Sequence, residues 1–295
     1  MDVEMKIQEP INKVTRKQKL KNYSKHPGSF LLALLTKLAI LLTVLALGFI
    51  LIYILVKGIP NLGTDLFAFK YTTENVSMLP AIINTLIITL LSLCIAGPIG
   101  IFSAIYLVEY AKKGNKLVEV VRVTAETLTG IPSIVYGLFG MLFFVTTLKC
   151  GYSLLAGALT LSIMVLPVIM RTTEEALLAV PNSFREGSFG LGAGKLRTIF
   201  KIVLPSAVPG ILAGVILAIG RMVGETAALI YTAGTVAEIP SSIMSSGRTL
   251  AIHMYSLSKE GLYTDQAYAT AVVLLIVVVL INMLSNFVAK KFTKK

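Results

Sequence analysis

Charged side chains are scarce in this sequence. Of its 295 residues only 14% are Asp, Glu, Lys or Arg, whereas 55% are hydrophobic. A soluble domain carries about 25% charged residues, so the composition excludes an ordinary water-soluble globular protein. We therefore expect a protein that is embedded in a lipid bilayer.

Histidine and cysteine are also scarce, with two of each. The sequence has no His-Glu-x-x-His and no Gly-x-Ser-x-Gly motif, which argues against a zinc protease or a serine hydrolase within the membrane. We expect His253 to be a packed or surface residue rather than a metal ligand. Cys94 falls within an apolar stretch and Cys150 in a turn outside it, so we expect no disulfide between them. The sequence therefore predicts neither a catalytic nor a metal site.

Six long apolar stretches alternate with polar segments. Each has about 17 or more largely apolar residues, the length that a helix needs to cross a bilayer. They are residues 34–56, 79–108, 124–148, 154–170, 207–232 and 269–288. A membrane β-barrel would instead show shorter segments of alternating polarity. We predict an all-α integral membrane protein with six transmembrane helices.

Basic residues are concentrated in alternate segments between these stretches. The segments with the excess hold 20 of the 27 Lys and Arg residues, against five in the other loops. They are 1–29, 109–123, 171–204 and the tail from 290. Cytoplasmic loops carry such an excess, so the net charge of +12 reflects membrane orientation rather than nucleic-acid binding. We predict a cytoplasmic basic segment (1–29), a membrane domain (30–290) and a cytoplasmic tail (291–295).

The cytoplasmic segment 171–204 has a helical pattern of its own. A helix is predicted to start at Thr172, and Pro181 ends it. Ser183 is predicted to cap a second, short helix that stops near Gly190–Gly194, and a third helix begins at Lys195. Glycines supply the backbone freedom that such a reversal needs.

The glycine-rich stretch resembles a phosphate-binding loop only superficially. Such a loop needs Gly-x-x-x-x-Gly-Lys-Ser/Thr after a strand. Here Phe189 stands at the first glycine position, and Leu196 follows the lysine where a magnesium-binding hydroxyl is required. We therefore predict that this chain has no ATPase site of its own.

The same segment carries a family signature. Its positions are Glu186, Gly187, Ser188, Gly192, Ile202, Leu204 and Pro205. Their spacing resembles the EAA signature of bacterial ABC-importer permeases, with Gly and Ser in place of two alanines. The resemblance implies a type I permease bundle whose short cytoplasmic helix couples to an ATP-binding subunit. The residues it assigns to that contact are Phe184, Glu186, Gly187, Ser188, Leu191 and Gly192.

A second resemblance narrows the substrate class. The stretches that carry it are 130–137, 170–177, 221–227 and 250–255, and they resemble phosphate permeases of the PstA type, with the sister PstC type as the alternative. Over residues 30–290, the resemblance implies half of a membrane pathway for inorganic phosphate in a bacterial cell membrane. The implied partners are a PstC-like permease, two PstB-like subunits that bind ATP and magnesium, and an extracytoplasmic PstS-like phosphate-binding protein. No cofactor is expected in this chain.

Arg221 and Glu225 are spaced so that one helix face would hold both. A charge within a span is costly unless it is paired or hydrated, which allows a structural ion pair or a pathway arginine that meets an oxyanion. We favour the pathway role, because the planar guanidinium binds phosphate through two hydrogen bonds. The predicted pathway residues are Arg221, Glu225, Thr226, Arg171 and Pro132.

Other assignments stay open from the residues alone. Another oxyanion could replace phosphate, and a secondary transporter or channel could also carry an arginine within a span, although it would not need the cytoplasmic signature. Glu126 is expected to be solvated or paired with Arg122.

Overall fold

The computed structural model describes residues 27–112 and 114–293, and all regular structure in these residues is helical. The predicted all-α class is therefore confirmed. Five helical stretches are long and apolar enough to cross a membrane, and a bent helix pair makes a sixth if it is counted as one span. Residues 1–26 of the predicted N-terminal segment and residues 294–295 of the predicted tail lie outside the described residues.

The first helix, α1 (Pro27–Gly58), begins in a unit of the chain that extends to residue 54. Its side chains are apolar on all sides and largely exposed. A helix that is hydrophobic around its whole circumference satisfies its own backbone polar groups and suits a lipid environment. It contains the predicted first span.

Residues 55–295 form the second unit. The α-helices described in it are α2 (Leu79–Ile105), α3 (Lys116–Thr129), α4 (Ser133–Gly140), α5 (Leu154–Leu178), α6 (Asn182–Gly190), α7 (Lys195–Thr198), α8 (Leu204–Val223), α9 (Ala227–Ile230), α10 (Leu250–Glu260) and α11 (Thr264–Thr293). Short 3₁₀ turns cover Ile59–Asn61 and Thr64–Phe67, and π-helical turns cover Tyr106–Tyr110, Met141–Thr147 and Ile199–Val203. We call the end of this unit that carries α6 the α6 end, and the other end, where α5 begins, the opposite end.

Helix α5 lies at the centre of the second unit and is the most buried of the spans. It packs against α2 and α8, and α8 in turn packs against α11. The fully buried side chains of this core include Ile88, Leu161, Met164, Ile169 and Met222. Between the helices, van der Waals packing rather than exclusion of water holds such a membrane core together.

Two glycines one turn apart allow α8 to approach α5 closely. A Cβ atom at Gly210 would lie 2.6 Å from the Cβ of Ala176, and one at Gly214 would lie 2.5 Å from the Cβ of Thr172. The Gly-x-x-x-Gly spacing thus removes the side chains that would separate the two helices. It also sets their antiparallel register, with 210 beside 176 and 214 beside 172.

The predicted third span is sharply bent. Helices α3 and α4 meet at an angle of 104°, with the break at residues 130–132. Pro132 lacks a backbone donor and restricts the residue before it, which prevents a continuous helix here. Residues 124–148 are therefore not one straight helix, and α3 is a separate helix with charged residues along it.

The beginning of the predicted cytoplasmic segment belongs to α5. The predicted helix start at Thr172 is wrong, because α5 continues to Leu178 and the Thr172 hydroxyl donates to the Val168 carbonyl within it (2.8 Å). The predicted cap at Ser183 is also wrong, since α6 begins at Asn182 after Pro181. The short helix itself, its end near Gly190–Gly194 and the new helix at Lys195 are confirmed.

Candidate functional site

A cavity of about 370 Å³ opens where α3, α5 and α8 meet. Its lining residues are Thr129, Val168, Arg171, Thr172, Glu175, Leu217 and Arg221. Two of the five predicted pathway residues, Arg171 and Arg221, therefore face one space. Because helix side chains tilt towards their own N-terminus, arginines on the antiparallel helices α5 and α8 lean towards each other.

Arg221 lies in the last turn of α8 and is partly buried. Among the described residues, no carboxylate comes within ion-pair distance of its guanidinium, and no side chain or carbonyl hydrogen-bonds to it. An arginine in a membrane span is normally paired or hydrated. Its five N–H donors are thus available to a ligand in the cavity.

Arg171 is already neutralised by two carboxylates. Its Nε lies 3.1 Å from Glu175 Oε1, and its Nη1 lies 3.6 Å from Glu126 Oε1. Of the two predictions for Glu126, solvation is supported, because its side chain is 73% exposed. Pairing with Arg122 is not, because Arg122 instead contacts Glu174 at 2.6 Å. Both cross-helix pairs result from α3 packing along α5. The uncompensated positive charge of the cavity therefore belongs to Arg221.

The other three predicted pathway residues do not line this cavity. The prediction that Arg221 and Glu225 share a helix face is wrong, because α8 ends at Val223. The buried Glu225 carboxylate instead accepts a hydrogen bond from the Ala228 amide (3.1 Å) at the start of α9. A carboxylate in this position stabilises a helix N-terminus.

Thr226 and Pro132 occupy the breaks on either side. The Thr226 hydroxyl donates to the Gly224 carbonyl (3.4 Å) just after α8. Pro132 immediately precedes α4, three residues beyond Thr129 of the cavity lining. Both residues therefore lie at breaks between helices near the cavity, and neither lines it.

Arg185 on α6 has structural partners that the sequence did not reveal. Its Nη2 and Nε bind Glu109 Oε1 at 2.7 and 3.0 Å, while Nη1 and Nη2 donate to the Val180 and Leu177 carbonyls at 2.8 and 3.0 Å. Both charged side chains are largely buried. This one residue ties α6 to the end of α5 and to the π-helical turn after α2. In the sequence, Arg185 is distinguished only by its position beside Glu186 of the signature, which does not indicate these partners.

The α6 segment presents an apolar surface. Phe184 and Leu191 are 47% and 91% exposed, and Glu186 and Gly187 are exposed beside them. Gly192 has φ +81°, a left-handed conformation that favours glycine and turns the chain after α6. Such a patch is typical of a surface that another protein covers.

Ser188 has a different environment from its neighbours in the signature. It is buried, and its hydroxyl lies 2.8 Å from the Thr198 hydroxyl of α7. It therefore holds α6 against α7 and does not form part of the exposed patch.

Residues 96–295 match the family described as the binding-protein-dependent transport system inner membrane component. The probable ABC transporter permease protein YqgI of Bacillus subtilis (strain 168) is 32% identical over 266 residues, which cover 82% of this chain and 88% of that protein. The phosphate transport system permease protein PstA of Pasteurella multocida (strain Pm70) is 35% identical over 269 residues, which cover 87% and 92%.

Solved structures share the fold at lower identity. The bacterial alginate ABC transporter in complex with an alginate pentasaccharide-bound periplasmic protein matches with a TM-score of 0.67 and 17% identity, over 92% of this chain and 98% of that one. An inward-facing MetNI methionine ABC transporter matches with a TM-score of 0.58 and 21% identity, over 73% and 94%. This chain therefore belongs to the family of binding-protein-dependent transport system inner membrane components, the multi-pass membrane permeases of ABC importers, which work with ATP-binding and substrate-binding partners.

Proposed function

We propose that this chain is a PstA-type permease subunit that forms half of the pathway of an ATP-driven importer of inorganic phosphate. The unpaired Arg221 guanidinium, in a cavity whose other arginine is neutralised, is the observation that supports this most. Phosphate carries one to two negative charges near neutral pH and matches the planar guanidinium through two hydrogen bonds. Relatives named as phosphate transport permeases agree with this substrate.

The proposed assembly follows from the two ends of the second unit. We assign the α6 end to the cytoplasm, together with both chain termini, in line with the distribution of Lys and Arg. The exposed patch with Phe184, Glu186, Gly187, Leu191 and Gly192 would dock on one of two PstB-like subunits. Those subunits would bind ATP and magnesium, and this chain would have no ATPase site of its own.

The remaining partners complete the pathway. A PstC-like permease would supply the other half of the path, and a PstS-like protein would deliver phosphate at the opposite end. The contacts of Arg185 and Ser188 would transmit movement of the ATP-binding subunits from α6 to α5 and α2. ATP drives such a change only if it binds the two conformations with different affinity.

Phosphate in the cavity would be held by Arg221 and then released. Arg171 would add a second, weaker attraction, because Glu175 and Glu126 already neutralise it. Thr129 and Thr172 place hydroxyl groups in the same lining. Conduction requires that such binding be favourable enough to admit the ion and weak enough to let it leave.

Three alternatives make different predictions. A PstC-type subunit would use the same cavity for phosphate. A permease for another oxyanion would also use this cavity, and competition between anions in the uptake assay distinguishes the two substrates. A secondary transporter or channel would transport without ATP and would have no need of the α6 patch.

The test is phosphate uptake by proteoliposomes that contain the complete transporter. We expect Arg221→Gln to lower ATP-dependent uptake by roughly tenfold or more, equivalent to about 1.4 kcal/mol or more, and Arg221→Lys to retain part of it. Lys259→Gln, which removes an exposed cation from α10, is the matched control. Uptake without ATP, or normal uptake by Arg221→Gln at equal abundance, would contradict the proposal.

A further inference from the structure

The loop between α9 and α10 closes the opposite end of the second unit. The Ser153 amide donates to the Thr232 carbonyl (3.0 Å) and the Leu154 amide to the Ser245 carbonyl (3.1 Å), which fixes the loop to the start of α5. The side-chain amide of Asn84, on α2, donates to the Arg248 carbonyl (3.2 Å). Hydrogen bonds from the start of α5 therefore fix the loop, and one from α2 fixes the Arg248 backbone.

The Arg248 side chain is buried without a counter-charge. It is only 5% exposed, and its Nε and Nη2 atoms have no hydrogen-bond partner. Within the part of the chain that the structure describes, no carboxylate lies within ion-pair distance of it. Its guanidinium stacks over the Tyr71 ring, with Cζ 4.6 Å from the ring centre. An aromatic face offsets only a small part of the cost of burying a charge.

Two further polar groups beside Arg248 also lack partners. The Thr249 hydroxyl and both ring nitrogens of His253 are buried without a partner in hydrogen-bond geometry, although the Val76 backbone lies close enough to His253 to favour its protonated form. The His253 ring meets the edge of Tyr71 at 6.2 Å between ring centres, so Tyr71 contacts both His253 and Arg248. Thr249 and His253 are one turn apart, joined by the bond from the His253 amide to the Thr249 carbonyl (2.8 Å).

The electrostatics of this cluster favour an anion. Helix α10 starts at Leu250, directly after Arg248 and Thr249, so its positive end adds to the guanidinium charge. Burial, and then the charge of Arg248, lower the pKa of His253 to about 3, which the nearby Val76 backbone only partly opposes. His253 is therefore neutral at physiological pH and offers one N–H donor. Polar groups that stay unpaired in a native protein are normally explained by a ligand, an ion or water.

We propose that Arg248, Thr249 and His253 form a second oxyanion-binding site, which takes phosphate at the opposite end before it reaches the Arg221 cavity. The guanidinium, the hydroxyl and the imidazole N–H would donate to different oxygens of a tetrahedral anion. The ligand must be small, because Arg248, Thr249 and His253 are all at most 5% exposed. The identity of the anion as phosphate rests on the proposed function.

The test is hydrogen–deuterium exchange of peptides covering residues 246–254 in the complete transporter, without the phosphate-binding protein and without ATP. Inorganic phosphate is compared with chloride at equal ionic strength. At a phosphate concentration about ten times the dissociation constant, we expect exchange through local opening to slow about tenfold. Arg248→Gln should abolish this protection, whereas Arg221→Gln and the control Lys259→Gln should retain it.

Three results would overturn the inference. They are equal exchange of the wild type in phosphate and chloride, undiminished protection in a folded Arg248→Gln transporter, and, in a parallel measurement with the binding protein added, protection by that protein without free phosphate. The last would show that contact with that protein, rather than phosphate, protects the segment. The wild-type comparison needs no variant, so it decides the question even if Arg248→Gln does not fold.

Uptake separates this inference from the proposed function. Wild-type phosphate import without phosphate protection of residues 246–254 would reject the second site and leave the proposed function standing. Phosphate protection without phosphate import would support the site and reject the proposed function.

Discussion

The two ends of the second unit treat buried arginines in opposite ways. At the α6 end, Arg185 binds Glu109 and the carbonyls of Leu177 and Val180. At the opposite end, Arg248 is more deeply buried, and its Nε and Nη2 have no partner. A buried charge that is fully satisfied fixes structure, whereas one that is left unpaired costs free energy unless something binds it.

This difference separates mechanical residues from ligand-binding ones in a chain with few charges. Arg185 holds three segments together and has little capacity left for a ligand. Arg248 and Arg221 have free donors, and they lie at different positions along the proposed pathway. The number and geometry of the hydrogen-bond and ion-pair partners of each arginine thus indicate its role, which the residue type alone does not.

Replacing Arg185 tests the mechanical side of the comparison and has the largest expected effect. Arg185→Gln leaves Glu109 buried without its cation, so we expect a loss of stability of about 3–5 kcal/mol. A large fall in the thermal unfolding temperature of the complete transporter would show this. Arg197→Gln, which removes an exposed cation from α7, should change that temperature little.

A second substitution identifies the cause. Adding Glu109→Gln to Arg185→Gln should recover part of the lost stability, because the buried unpaired carboxylate is then gone. If Arg185→Gln unfolds at the same temperature as Arg197→Gln, the ion pair does not hold the α6 end together.

Helices α5 and α8 connect the α6 end with the opposite end, and separating them tests whether this connection transmits movement. Gly214→Ala places a methyl group against Thr172, and such overpacking costs about 1–3 kcal/mol. We expect a lower unfolding temperature together with slower ATP-dependent uptake. Gly220→Ala on the same helix meets no atom within 4 Å and is the control. Equal behaviour of the two variants would mean that α8 tolerates separation from α5.

Acidification tests the unpaired cluster at the opposite end and has the smallest expected effect. Because the pKa of His253 is lowered to about 3 in the folded protein, the unfolded chain takes up its proton first as the pH falls below about 6.5. Stability is therefore lost on acidification, by up to about 2 kcal/mol between pH 7 and pH 5.

The measurement is the unfolding temperature of the transporter at both pH values. His253→Gln, which does not titrate, should lose less stability than the wild type over the same interval. An equal loss of stability in both proteins would show that burial does not keep His253 neutral.

Local sequence patterns predicted much of the fold. The spans, the short helix α6 and the glycine turn after it depend on nearby residues, so they could be predicted without the tertiary structure. The pairing of Arg221 with Glu225 could not, because it assumed a continuous helix. Gly224 follows the last residue of α8, and the Glu225 carboxylate instead accepts a hydrogen bond from the Ala228 amide at the start of α9.

Charge pairing depended on distant parts of the chain. Glu126 faces Arg171, and Arg122 faces Glu174, only because α3 packs along α5. The helical class and membrane character were determined by the sequence itself, since hydrophobicity and span length act locally. Only the tertiary structure decided which arginines are free. The carboxylate that binds Arg185 lies 76 residues away in the sequence. Among the described residues, none of the segments that pack around Arg248 provides a partner for its Nε and Nη2.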